Sequence, residues 1–207
     1  MPKDPWPLIH AERQALIDDV KPLSEDQWAT ASLCAGWSVR DVFGHITATA
    51  KQTPPKFFAG LIGSGFKFNA LMDKLVARET AVPASAQIAE FEDRISATNS
   101  PPGPVDTWLG EIIVHAEDLR RPLGIPRQYP AEAVTRVIDS YRGSNLLIGG
   151  KRRVAGLSLR ATDVDWSTGE GPEVTGSAIS LLLATAGRAS ALEGLAGPGL
   201  AELEARF

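Results

Sequence analysis

The chain has 207 residues, 43% hydrophobic and 22% charged, with a formal net charge of −4. Those fractions belong to a globular chain and exclude a disordered or fibrous one. One cysteine excludes an internal disulfide and any zinc site built on several thiolates. Three histidines mean that a metal site needs most of them plus carboxylates. The acidic balance lacks the basic stripe of a nucleic-acid binder, and Lys151-Arg152-Arg153 reads as a solvated edge. The N-terminus carries no signal-peptide pattern, and the apolar stretch from Ser177 to Gly187 is too short to span a bilayer. A soluble, cytoplasmic protein is expected.

In chain order, apolar residues at helical spacing predict a helix over Pro7 to Val20, closed by Pro22. A short helical piece covers Ser24 to Trp28, and Cys34-Ala35-Gly36-Trp37 is a loop. The next helix starts at Ser38, because Ser38-Val39-Arg40-Asp41 fits the capping-box pattern with Asp in place of Glu or Gln. Pro54-Pro55 ends it. Gly60 to Gly65 reads as a turn. Helices follow over Phe66 to Glu79, from Pro83–Ser85 to Thr98, over Val105 to Leu123 and over Pro130 to Ile148.

The texture changes after Gly149. Val154 to Thr162 alternates and reads as a strand, Asp163 to Ser167 as its partner, and Glu173 to Thr175 as a third extended piece. An apolar helix from Ser177 to Ala186 and a short helix from Gly199 to Arg206 complete the chain. The reading is a mainly α, α+β protein. Residues 1–149 form a four-helix bundle with extra helices, and residues 150–207 form a small α/β module.

Chemistry concentrates on the helix around Trp108 to Leu119. At about 100° per residue, Trp108, Glu111, Ile112, His115 and Leu119 share the face to be buried. Glu111 and His115 lie one turn apart. A carboxylate on a core-facing stripe is costly unless paired or coordinated, so Glu-x-x-x-His here is half of a candidate metal site. The stripe Val42, His45, Ile46 and Thr49 of the capped helix supplies the other half. Two histidines and one glutamate leave open positions, as a catalytic metal requires. Asp41 and Asp118 are placed either to accept a histidine N–H or as surface charges.

Plainer readings stand beside this one. The Glu–His pair can be a helix-surface pair, and His45 a core histidine bonded to backbone. His10 has no comparable partner nearby and reads as structural or exposed. Cys34 precedes a capped helix N-terminus, where a thiol pKa can fall, but no base is visible beside it. The glycine clusters fit neither a P-loop nor a dinucleotide fingerprint.

Trp28 followed by the run Ser32 to Ile46 resembles the N-terminal signature of the actinobacterial maleylpyruvate isomerase family, mycothiol-dependent metalloproteins of DinB-like fold. Glu111 to Leu119 resembles its second signature, and Gly169 to Arg188 its C-terminal module. The resemblance implies a divalent metal, zinc first, on His45, Glu111 and His115, with mycothiol as thiol cosubstrate. It also implies that Arg188 serves near thiol and substrate. The implied activity is thiol addition, isomerisation or S-transfer on a small electrophile, by a monomer or homodimer. A metal-dependent hydrolase and a non-catalytic metal- or thiol-binding module are the other readings.

Overall fold

A computed structural model describes residues 4–146 and 148–207. The chain divides into two compact units, one ending at Pro126 and one from Arg127 to Phe207.

The first unit is helical. Helix α1 (Trp6–Val20), the single turn α2 (Glu25–Trp28), α3 (Val39–Ala50), α4 (Pro54–Gly63), α5 (Phe68–Glu79), α6 (Ala84–Glu92) and α7 (Val105–Leu123) follow one another. Helix α7 packs against both α1 and α3, while α3 also packs on α5 and α6, and α6 on α1. Ile9, Leu16 and Ile17 of α1, Val42, Phe43 and Ile46 of α3, and Leu109, Ile112 and Leu119 of α7 form the core between them. This is the mainly α bundle that the periodicity predicts.

The helix ends follow from local chemistry. The capping box at Ser38 is formed: Asp41 N–H donates to Ser38 Oγ at 3.2 Å, and Ser38 N–H donates to Asp41 Oδ2 at 2.9 Å. Helix α7 has the predicted bounds, and Gly124 ends it in the left-handed conformation at φ +67°.

Several boundaries differ from expectation, among them Val154 to Thr162 and Asp163 to Ser167, of which only Ser158–Ala161 and Ser167–Thr168 are strand. Pro54-Pro55 ends nothing new; α3 has already stopped, and the prolines open α4 at positions where a helix has no use for their N–H. The stretch read as a glycine turn is therefore partly helical, with Gly60 and Gly63 inside α4. Helix α6 stops at Glu92 rather than Thr98, and beyond it the Arg94 and Ala97 carbonyls accept from the guanidinium of Arg13.

The second unit begins with α8 (Ala131–Arg142), shorter than expected because Gly143 follows it, and α9 (Gly150–Arg153), a turn carrying Lys151-Arg152-Arg153. Helix α8 packs on α10 (Ala178–Thr185), so contacts divide the chain at Pro126, whereas composition changes near Gly149. Strands β1 (Ser158–Ala161), β2 (Ser167–Thr168), β3 (Glu173–Gly176) and β4 (Leu195–Ala196) form a sheet in the order β2-β1-β3-β4. Strands β1 and β3 run parallel, with Leu159 beside Val174, and the outer pairs are antiparallel. A 3-10 segment (Ala189–Gly194) and α11 (Leu200–Glu204) close the chain. No helix among the described residues is long and apolar enough to cross a membrane.

Candidate metal centre

The packing of α3 on α7 brings His45 beside Glu111 and beside His115, though the three do not close into one tight donor set. His45 Nε2 lies 3.7 Å from Glu111 Oε1, and the rings of His45 and His115 meet edge to face with centroids 4.7 Å apart. Side-chain exposures of 14% for His45, 14% for Glu111 and 20% for His115 put the group at the edge of the core, open on one side. Glu111 Oε1 is buried and finds no hydrogen-bond partner among the described residues. A buried carboxylate oxygen without a donor is the atom that coordination would satisfy. Metal–ligand bonds of about 2.0–2.2 Å put neighbouring ligand atoms roughly 3–3.5 Å apart, close to the His45–Glu111 separation.

Burial pushes the Glu111 carboxyl up to about 7 from its usual 4.5. Three neighbours oppose that rise: His115, the Arg13 guanidinium and the Thr49 hydroxyl. Arg13 is only 5% exposed, and desolvation lowers its own pKa while Glu111 raises it. Sequence reasoning missed Arg13. It lies on α1, far along the chain from the signature helices, and a lone arginine carries no spacing signal.

His115 is held from behind. Its Nδ1 lies 2.9 Å from Oδ2 of Asp118, whose side chain is fully buried. Asp118 is therefore the histidine acceptor and not a surface charge. Asp41 is neither a histidine acceptor nor a plain surface charge: its carboxylate accepts from Ser38, at 2.9 Å from N–H and 2.7 Å from the hydroxyl, and caps α3.

Cys34 joins the group. Its thiol donates to Asp118 Oδ2 at 3.1 Å, and its sulfur lies 3.8 Å from His115 Nδ1. Cys34, His115 and Asp118 form a donor set that could hold a metal ion. Two of its separations are hydrogen-bond distances, and Asp118 Oδ2 already accepts at both. The set shares His115 with the His45–Glu111 group.

Trp37 forms a wall, its ring centroid 5.4 Å from that of His45. The loop that carries it is closed by Trp37 N–H on the Cys34 carbonyl at 3.0 Å. Gly36 takes φ +79° within that turn, a conformation that type II turns demand of their third residue. Arg188 lies in the second unit, after α10, and donates to the Ala186 carbonyl at 3.1 Å. Beside it, the Arg153 guanidinium is held below its usual range by desolvation first and by Arg152 and Arg188 next. His10 packs its ring against that of Trp6, with centroids 5.8 Å apart and planes tilted by 32°.

Residues 9–99 match the family described as the mycothiol maleylpyruvate isomerase N-terminal domain, a match that includes His45 and ends before α7. Two solved structures share the fold at 14% identity, covering 93% of this chain and 91% of theirs. One is the mycothiol-dependent maleylpyruvate isomerase (TM-score 0.62) and the other a histidine-to-alanine variant of it (TM-score 0.64). No curated protein matches the chain.

Proposed function

We propose that the chain is a divalent-metal enzyme using mycothiol as a thiol cosubstrate, a reading supported by the match of residues 9–99 to the mycothiol maleylpyruvate isomerase N-terminal domain. Its substrates are small electrophiles, and isomerisation is the reaction most in keeping with that family. His45, Glu111 and His115 hold the metal, with zinc as the first candidate. The observation that carries this reading is the buried, unpartnered Oε1 of Glu111 set 3.7 Å from His45 Nε2 and one helical turn from His115. A bound divalent metal supplies a positive charge that favours a thiolate over a thiol at neutral pH.

The chain's own residues prepare that site. Asp118 accepts the Nδ1 proton of His115, which leaves the lone pair on Nε2. Arg13 and Thr49 favour the charged form of Glu111, the form a metal needs. Trp37 and the core residues of α3 and α7 exclude water on the inner side. Arg188 is the candidate to neutralise an anionic group of thiol or substrate through its forked guanidinium.

The test is metal analysis of the wild type beside His115→Ala, followed by isomerisation assays on maleylpyruvate with and without mycothiol. We expect stoichiometric metal in the wild type, loss of it in the variant, and turnover only with thiol present. Equal metal content in both proteins rejects the site. Turnover of ester or amide substrates without thiol favours a hydrolase. Metal retained with no turnover on any substrate favours a binding module.

A further inference from the structure

Helix α7 runs through Pro122 in its last turn. Proline has no N–H, so the carbonyl four residues earlier, that of Asp118, lacks its helical donor. The N–H of Leu33 takes that place, donating to Asp118 O at 2.9 Å. This bond fastens the loop before α3 to α7, and the next residue along the loop is Cys34. Its thiol reaches the side chain of the same aspartate, 3.1 Å from Oδ2. Oδ2 also accepts from His115 Nδ1 at 2.9 Å. One fully buried carboxylate thus receives the imidazole and the thiol, while its backbone carbonyl receives the loop.

We propose that Cys34 and Pro122 are positioning residues: they hold Asp118 so that His115 keeps its proton on Nδ1 and offers Nε2 as metal ligand. The proposal rests on the metal reading given above. It assigns the lone cysteine a supporting role, as the second donor that restrains the Asp118 carboxylate. The alternative is that Cys34 itself ligates through the Cys34–His115–Asp118 set. The two roles differ in what serine can do. A hydroxyl can donate to Asp118 as the thiol does, but it is a poor replacement for a thiolate ligand.

The experiment measures zinc affinity by chelator competition in the wild type, Cys34→Ser, Cys34→Ala, Pro122→Ala and Asp118→Asn. Far-UV circular dichroism and thermal melting establish that each variant is folded. Loss of a group that orients a ligating histidine costs roughly 10–100-fold in affinity, which is the loss expected for Asp118→Asn. A thiol is a weaker donor, so Cys34→Ala is expected to lose about 5-fold and Cys34→Ser to stay within about 2-fold of wild type. Pro122→Ala restores an N–H that competes with Leu33 for the Asp118 carbonyl, and is expected to follow Cys34→Ala.

Wild-type affinity in Cys34→Ala overturns the proposal. So does a Cys34→Ser loss as deep as that of His115→Ala measured alongside, which makes the sulfur a ligand. A second measurement needs no metal: long-range 1H–15N correlation of His115 in the chelator-treated protein. We expect the Nδ1–H tautomer in the wild type and in Cys34→Ser, and a mixture in Cys34→Ala and Asp118→Asn. A wild type that binds no zinc rejects the metal reading, and the tautomer then decides the positioning claim by itself. The same tautomer in all four proteins overturns it.

Discussion

Glu111 carries the sharpest single-residue consequence. In the metal-free protein its carboxyl titrates near 7 against 4.5 when unfolded, so between those values the folded state binds the extra proton. Stability therefore falls as pH rises through that window, by about 3 kcal/mol in all, and levels off above it. Urea unfolding of chelator-treated wild type should give a lower stability at pH 7.5 than at pH 5.5. Glu111→Gln, neutral throughout, should lose most of that difference; an unchanged slope in the variant removes the claim.

The Arg120 side chain is fully buried and pairs with Asp19 at 2.7 Å. Asp19→Ala takes one carboxylate away from that buried guanidinium. It should cost more in urea unfolding than loss of a surface pair, which costs less than about 1 kcal/mol.

At the scale of elements, each helix that frames the site is held by a different local device. Helix α3 depends on its capping box, so Ser38→Ala should cost about 1 kcal/mol and weaken the placement of His45 less than two turns away. Helix α7 has clear punctuation, Pro104 before its first residue and Gly124 after its last, and its bounds can be read from the residues. Helix α4 could not be read in this way. It is apolar yet buries none of its residues, and Ile62 is 63% exposed. A Pro-Pro pair marks a helix start as readily as a helix end, and only the preceding C-terminus of α3 distinguishes the two. Because α4 contributes nothing to the core, Ile62→Ser should change stability by less than about 0.5 kcal/mol, checked by thermal melting.

For the whole molecule, the candidate ligands belong to two helices, α3 and α7, that are distant in the chain and adjacent in space. A metal bound between them binds the folded protein and not the unfolded chain, and so raises stability by mass action. Chelation should lower the melting temperature of the wild type and leave that of His45→Ala unmoved. Mycothiol should raise it only when metal is present. A thiol shift in the chelated protein would place the thiol elsewhere.

The residues by themselves determined the mainly α fold, the capped start of α3, the bounds of α7 and the one-turn spacing of Glu111 and His115. These are local matters, set by 3.6-residue periodicity and by which side chains satisfy the unpaired groups at helix ends. The tertiary structure alone decided which polar atoms meet. Cys34 and Asp118 are 84 positions apart, and their contact depends on a carbonyl that Pro122 leaves without a helical donor. Arg13 reaches Glu111 from α1, and Trp37 reaches His45 through a turn at Gly36. No spacing rule covers such pairs, because packing across helices, not sequence separation, sets the distance between them.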